Sequence, residues 1–317
     1  MGIGTRNGVF MLNRIGLVAA LLLVACASAY AQNQTAPVDS GNSVALPLYM
    51  SDSDQPLDIH GYVETQAKSS HISARGTVFA DKGVEVQPVG ALTFNLYQGT
   101  TLVDKVSATA GVFNSVNTSL RIPNAGPWFD IEYFARMNLE VADRVNFYVQ
   151  YIAFDSPGAA FATDNNVEFM LSYNDMGKMM KDFAIHPYTK LFYNVSGAST
   201  TVFGRNGNTF DVELGFIPTY IWKPVPNYPI TFTLPTYVTV GPKHFWGGSS
   251  NVGIFTTSLA ASFPISCIPS RYGHWHLDAS ASYFDLINTQ LVNAALALGN
   301  SGDRSRFVGE IGMGFDF

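Results

Sequence analysis

The chain lacks the features on which helical membrane proteins and disulfide-stapled domains depend. After residue 31 it has no uninterrupted apolar segment near the ~20 residues that a membrane-spanning helix needs. Its only cysteines are Cys26 and Cys267, so a mature chain without Cys26 has no internal disulfide. Charged residues make up only 13 % of the chain, the net charge is −6, and no basic patch is present. This balance argues against nucleic acid as a partner, and no motif implies a cofactor.

What the chain does contain is aromatic residues, glycine and alternation. Aromatic residues make up 13 % of it, with 23 Phe and 15 Tyr, and 28 Gly and 16 Pro punctuate the sequence. Such values suit a membrane β-barrel with an aromatic girdle at each interface. Tryptophans lie near predicted strand ends, where a girdle would place them: Trp128, Trp222, Trp246 and Trp275.

Residues 1–31 have the layout of a cleaved secretory signal peptide. Arg6 and Arg14 precede an apolar run over 15–25, and small residues follow as far as Ala31, after which we predict cleavage. A run of this length is too short for a membrane anchor.

A lipoprotein leader is the alternative to an ordinary signal peptide. Residues 23–26 read Leu-Val-Ala-Cys, the pattern of a lipobox in which Cys26 would be acylated. Residues 32–56 are rich in Gln, Asn, Ser, Asp and Pro, and we predict a flexible periplasmic lead-in there.

The carboxyl terminus predicts a strand that faces lipid and closes a sheet. Over residues 307–317 every odd position is apolar or small, and the chain stops on Phe317. Side chains of a strand alternate between its faces, so Glu310 and Asp316 point the other way. An apolar strand edge invites aggregation unless its partner is fixed. The first strand of a barrel supplies such a partner.

The same two-faced alternation recurs throughout residues 57–317. The segments are long enough to cross a bilayer at a tilt, which takes ~9–11 residues. We therefore predict an all-β fold, a transmembrane antiparallel up-and-down β-barrel of about 12 strands, with 10 or 14 as alternatives. The predicted strands are 57–68, 84–97, 102–116, 128–140, 144–154, 166–174, 185–196, 209–222, 230–241, 252–263, 274–286 and 306–317.

Connection lengths support this count, because such barrels have short periplasmic turns and longer outer loops. The predicted outer connections are 69–83, 117–127, 155–165, 197–208, 242–251 and 287–305. A soluble β-sandwich would also show alternation, but not the leader and the closing strand. Prolines inside strands remove a donor and predict bulges or strand ends at Pro88, Pro187, Pro218 and Pro235.

In its leader, its two-faced strands and its terminal Gly312-Met313-Gly314-Phe315-Asp316-Phe317, the chain resembles bacterial outer-membrane β-barrel proteins, the porin-like group. The resemblance implies a place in the Gram-negative outer membrane, among its lipids. It also implies that the barrel assembly machinery reads Phe315 and Phe317. The resemblance is specific for the barrel architecture but says little about the substrate, and it leaves the oligomeric state open.

The alternation of side chains along each strand identifies the candidates for lining the pore, and most of the charged residues among them are acidic. Inward carboxylates would attract cations if water fills the lumen. In the competing interpretation, Arg136 and Lys190 pair with carboxylates across strands and close the lumen. The predicted inward residues are Glu64, Glu85, Asp130, Glu132, Glu140, Glu168, Asp211, Glu213, Asp278, Glu310 and Asp316, with Lys68, Arg136 and Lys190.

Other chemistry has weaker support. His274, His276 and Asp278 share one face of a strand at ligand-like spacing, but a pair of histidines beside Trp275 is more typical of a membrane interface than of a metal site. His71 and Ser73 have the spacing of an outer-membrane phospholipase without its surrounding motif.

A rim protease would use paired loop carboxylates with a histidine, and the available residues form no recognisable motif: Asp81, Asp155, Asp164 and His244. In the last outer loop, residues 291–298 are rich in Ala and Leu, which predicts a short helix that either narrows the mouth or lies on the rim.

The function that these observations favour is a passive channel for small solutes, cation-preferring if open, and no enzyme. The alternative is a closed barrel with a structural, adhesive or ligand-binding role through its outer loops. A membrane-embedded hydrolase comes third.

Overall fold

The computed structural model describes residues 59–317, apart from 100–101, 121–125, 159–161, 198–207, 225–227, 243–244 and 249. The predicted leader, its lipobox and the lead-in lie outside the described residues. The strands are β1 Ile59–Lys68, β2 His71–Ile72, β3 Val78–Ala80, β4 Glu85–Gln98, β5 Val103–Asn117, β6 Trp128–Val141, β7 Val145–Asp155, β8 Asp164–Tyr173, β9 Phe183–Ala184, β10 Pro187–Ser196, β11 Thr209–Phe216, β12 Thr219–Trp222, β13 Ile230–Thr233, β14 Thr236–Val240, β15 Val252–Pro264, β16 His274–Asp285 and β17 Ser305–Asp316, with one helix, α1 Thr289–Ala297.

The strands form a closed antiparallel barrel of 12. The order around the wall is β1, β4, β5, β6, β7, β8, β10, β11, β14, β15, β16 and β17. The last strand pairs with the first, from Tyr62↔Asp316 to Lys68↔Glu310. Strands β9, β12 and β13 continue β10, β11 and β14 beyond a break in each. The predicted fold and strand count are therefore confirmed, and the alternatives of 10 and 14 strands are wrong.

Three neighbouring strands break at the same level of the wall, each beside a proline. Pro187 begins β10, Pro218 separates β11 from β12, and Pro235 separates β13 from β14. The carbonyls of Pro218 and Pro235 still accept backbone N–H groups at 2.8 and 2.9 Å, so the wall remains hydrogen-bonded. The prediction for prolines is confirmed at these three positions. It is wrong for Pro88, which lies inside β4 without a register shift.

The wall is apolar outside and polar inside. On β17, Phe307 is 76 % and Ile311 67 % exposed, whereas the inward Arg306 and Asp316 are buried. A soluble sandwich would bury its apolar side chains between two sheets. The reverse arrangement suits hydrocarbon outside, where a closed sheet leaves no edge without hydrogen bonds. Among the described residues, no helix is long and apolar enough to cross a membrane.

Aromatic residues flank this apolar band at both ends. The connection that follows β1 and the one that contains helix α1 lie at one end of the barrel, here called the loop end, and both Ile59 and Phe317 lie at the other, the turn end. Trp128 at the loop end and Trp222 at the turn end are each 47 % exposed. The ring of Trp275 lies 4.8 Å from that of Phe315.

The girdle prediction is wrong for Trp246. Its side chain is fully buried in the barrel interior, because the chain after β14 turns inward instead of crossing the rim.

We expect charge on the outward face of the closing strand to destabilise the barrel. Ile311 stands in the middle of β17, opposite Ala67 and Ala279. Ile311→Arg should lower the free energy of unfolding by about 2–4 kcal/mol, whereas Leu102→Arg, in an exposed turn near the interface, should cost at most about 1 kcal/mol. Urea titration in lipid vesicles measures both. Equal costs would contradict the assignment of the outward face to lipid.

Candidate functional site

The connection between the first two wall strands folds into the barrel. This inner hairpin, residues 69–84, carries β2 and β3 and a turn in which Ser73 N–H donates to the carbonyl of Thr77 at 2.8 Å. It starts from β1 and β4, which lie opposite β8, β10 and β11 in the order of 12 strands. Arg75 at its tip reaches those opposite strands. The inner hairpin therefore spans the lumen.

The guanidinium of Arg75 is held by three consecutive strands of the opposite wall. Its Nε lies 3.1 Å from Oδ1 of Asp211, and its Nη2 lies 3.1 Å from Oε1 of Glu168. Its central carbon lies 3.3 Å from the ring centre of Phe192. The hydroxyl of Tyr148 also donates to Glu168, at 3.4 Å. Charge-assisted hydrogen bonds and a cation–π contact thus hold one group.

An apolar core seats the rest of the inner hairpin against another part of the wall. The indole Nε1 of Trp246 donates to the carbonyl of Arg75 at 3.1 Å, and Tyr237 donates to that of Ala74 at 3.4 Å. The hairpin, the connection after β14, helix α1 and strands β14 to β17 all contribute to this core. Its buried members are Ile72, Val78, Tyr237, Phe245, Trp246, Ile254, Phe284, Leu286, Leu291, Ala295 and Val308.

Helix α1 closes the loop end beside the hairpin. The side chain of Asn288 caps it by accepting the N–H of Gln290 at 2.9 Å. The side chain of Asn300 then donates to the carbonyl of Val78 at 2.8 Å. The predicted helix is confirmed, one or two residues earlier than expected. It lies in the mouth, since Leu291 and Ala295 are buried.

Asp81 ties the inner hairpin to the last loop. Its carboxylate accepts the N–H of Ser301 and lies 3.9 Å from Arg306. Burial opposes ionisation, but the hydrogen bonds from Ser301 and the charge of Arg306 outweigh it and hold the pKa of Asp81 below its usual value. The carboxylate is thus charged at neutral pH and holds the two loops together.

His71 and Ser73 serve the fold of the inner hairpin. His71 Nδ1 lies 3.1 Å from Oε1 of Glu85, and its ring lies 4.8 Å from that of Phe79. Burial lowers the pKa of His71, against the opposing charge of Glu85. Ser73 Oγ accepts the N–H of Thr77 at 3.0 Å. His71 and Ser73, which have the spacing found in an outer-membrane phospholipase, therefore stabilise the inner hairpin.

The residues considered for a rim protease have similar local partners. Asp155 accepts the hydroxyl of Thr163 at 3.1 Å, and Asp164 accepts the side-chain amide of Asn194. His244 lies outside the described residues.

The pore-lining candidates face the barrel interior. Glu64, Glu140 and Glu310 are half-buried. The others are at most 8 % exposed: Asp130, Glu132, Arg136, Glu168, Lys190, Asp211, Glu213 and Asp278. Three further inward cations were missed, namely Arg75, Lys105 and Arg306. The alternation of inward and outward residues along β5 and β17 predicts the inward positions of Lys105 and Arg306. Arg75 stands in a connection, where this alternation does not apply.

Inward charges pair across neighbouring strands. Lys190 lies 3.2 Å from Glu213, and Lys68 lies 3.4 Å from Glu310. The Nε of Arg136 donates to Gln150 at 2.6 Å. The predicted pairing of Lys190 with an inward carboxylate is confirmed.

The turn end of the lumen holds a histidine between carboxylates. His276 Nδ1 lies 2.6 Å from Asp278, and its Nε2 lies 3.6 Å from Asp316. His274 lies exposed at the start of β16. Within the described ranges, no three His, Cys, Asp or Glu side chains are arranged to hold a metal ion. His274, His276 and Asp278 are therefore not brought together as ligands.

No protein-family model and no curated protein matches the chain. Solved structures with a similar fold include a bacterial polysaccharide outer membrane secretin, at TM-score 0.47 and 8 % identity over 82 % of this chain and 99 % of that one. An outer membrane channel from Pseudomonas putida F1 gives 0.44 and 12 % over 90 % and 100 %. The NanC porin gives 0.40 and 12 % over 80 % and 98 %. These likenesses concern the fold alone.

The architecture is that of a closed transmembrane β-barrel. This conclusion rests on the closed wall, its apolar outer face and the aromatic residues at both ends.

We expect Gly76→Val to unseat the inner hairpin without opening the wall. Gly76 has φ +87°, and a Cβ there would lie 2.3 Å from Ile254 and 2.9 Å from Leu291. Limited proteolysis should cut within 69–84 at least tenfold faster, while the barrel keeps its heat-modifiable mobility on gels. Gly177→Val is the matched control, because its φ is +75° but only the carbonyl of Lys181, at 3.8 Å, is near. Unchanged cleavage of Gly76→Val would contradict the seating.

Proposed function

We propose that the protein is a passive channel for small solutes in the bacterial outer membrane, cation-preferring when the inner hairpin is withdrawn. The observation that carries the proposal is a closed wall whose inner face is polar and mostly acidic. Inward carboxylates raise the local concentration of cations and repel anions. The inward acids are Glu64, Glu85, Asp130, Glu132, Glu140, Asp164, Glu168, Asp211, Glu213, Asp278, Glu310 and Asp316, against Lys68, Arg75, Lys105, Arg136, Lys190 and Arg306.

Carboxylate oxygens in the lumen favour a hydrated interior. Oε2 of Glu85 and Oδ1 of Asp278 and Asp316 are buried and accept no hydrogen bond within the described part of the chain. Leaving a buried polar oxygen without a hydrogen bond costs about 1–3 kcal/mol in a dry interior. Water in the lumen removes this cost, and a hydrated lumen is what a channel requires.

The inner hairpin supports regulation of the passage. Among the described residues its backbone joins the wall at its two ends, where Ser69 N–H donates to the carbonyl of Gly309 at 3.0 Å and Thr118 N–H donates to that of Val84 at 3.1 Å. Residues 70–83 can therefore leave while the strand pairings remain. We therefore assign this conformation to a narrowed state.

A closed barrel with a structural, adhesive or binding role is the second candidate, favoured by the same hairpin because it spans the lumen. In either case outer-membrane lipid surrounds the wall. The barrel assembly machinery would recognise the terminal strand, where the ring of Phe315 lies 5.3 Å from that of Phe317.

Replacing the inner hairpin tests the channel directly. Lys68 and Glu85 are paired neighbours, so a linker of about four Gly and Ser residues can replace 69–84 without strain. We expect single-channel conductance in planar bilayers to rise severalfold over the native chain. The reversal potential in a salt gradient should show cation selectivity, and Asp278→Asn with Asp316→Asn should reduce it.

Heat-modifiable mobility on gels confirms that each variant is folded. A folded, hairpin-free barrel that carries no current would exclude the channel and leave the closed barrel. Anion selectivity would refute the acidic-lumen argument alone.

A further inference from the structure

The residues that hold Arg75 form one straight row across the wall. In the strand register, Phe192 of β10 stands opposite Glu168 of β8 on one side and opposite Asp211 of β11 on the other. All three side chains are buried in the interior. The Glu168–Phe192–Asp211 row therefore belongs to the rigid wall, whereas its occupant, Arg75, belongs to a connection.

The chemistry of this row selects a planar cation. The outer two strands of the row are about 9–10 Å apart, twice the ~4.8 Å spacing of neighbours. A guanidinium stacked on the central ring can donate to one carboxylate from each of two nitrogens, as Nε and Nη2 of Arg75 do. A divalent metal needs several oxygen ligands at about 2.0–2.6 Å and gains little from an aromatic face. The row thus suits guanidinium better than a metal ion.

Charge balance couples the row to the position of the hairpin. If Arg75 left and nothing replaced it, two buried carboxylates would face each other across the ring, at a substantial cost. A cation that enters as Arg75 leaves keeps the balance. Exchange of one guanidinium for another is therefore the least costly way to release the tip of the hairpin.

We infer that the Glu168–Phe192–Asp211 row is a binding site for small guanidinium-bearing solutes, occupied by Arg75 in this conformation, and that such solutes release the tip of the inner hairpin by displacing Arg75. The inference rests on the proposed channel and names its substrate class. A tethered group competes at an effective concentration in the millimolar range. Displacement therefore takes millimolar solute.

Fluorescence of Trp246 reports release without requiring conduction, because its indole donates to the carbonyl of Arg75. We expect methylguanidinium chloride to change the emission of the full-length protein in detergent, with a midpoint at millimolar concentration. Potassium chloride and methylammonium chloride at equal ionic strength are the controls for salt and for a non-planar cation. The Trp246→Phe variant identifies the signal.

Variants of the row separate binding from fold. Phe192→Leu removes the stacking surface from Arg75 and from methylguanidinium alike, so the midpoint for methylguanidinium should stay within about threefold of the native value while its advantage over methylammonium shrinks. In Arg75→Ala, methylguanidinium should not change the emission of Trp246, and the conductance should be higher than that of the native chain without any solute. Asp182→Asn is the control for loss of an ion-paired carboxylate outside the row, since Asp182 pairs with Lys223, and it should keep the native midpoint within about twofold.

The outcomes distinguish this inference from the channel itself. A native response identical in potassium chloride, or one retained in Arg75→Ala, overturns the guanidinium site even if the hairpin-free barrel conducts. A methylguanidinium-specific change in Trp246 emission without current in any variant supports the site and refutes the channel.

Discussion

Closure of β1 on β17 is the constraint on which the rest of the molecule depends. In hydrocarbon every backbone N–H and C=O group needs a partner, and only a closed sheet supplies one to each strand. The register from Tyr62↔Asp316 to Lys68↔Glu310 makes this closure. Once it is set, the period of two assigns each wall residue to lipid or to the lumen, and a slip of one residue would exchange the two faces.

Closure also creates a space that the wall alone does not fill. Barrel width grows with strand number, and about eight strands already leave room only for side chains. A barrel of 12 strands is wider, and here the inner hairpin crosses it. The hairpin is fixed by two different kinds of contact. Apolar packing against β14 to β17 is strong but non-directional, whereas the ionic contacts of Arg75 define where the tip lies.

Sequence periodicity recovers the wall and fails in the connections. Alternation alone predicts all 12 strands and the inward position of residues such as Glu132 and Lys190, because the pleat has one period throughout the barrel. It does not predict the position of Trp246. The sequence pattern places this residue in the aromatic girdle, whereas the structure buries it in the apolar core. Nor does alternation find Arg75, whose partners lie 93 and 136 residues away. No local pattern encodes contacts of that separation.

The division between a periodic wall and an aperiodic connection has a mechanical consequence. The hydrogen bonds between paired wall strands, including those beside Pro218 and Pro235, involve the inner hairpin at its root, where Ser69 N–H donates to the carbonyl of Gly309, and not at its tip. Motion of the hairpin therefore changes the lumen without exposing backbone to lipid. Opening the wall, in contrast, would leave backbone N–H and C=O groups at the strand edges without partners in hydrocarbon. A change in the width of the lumen that keeps the wall closed must therefore come from the connections, and Arg75 is where one of them binds the opposite wall.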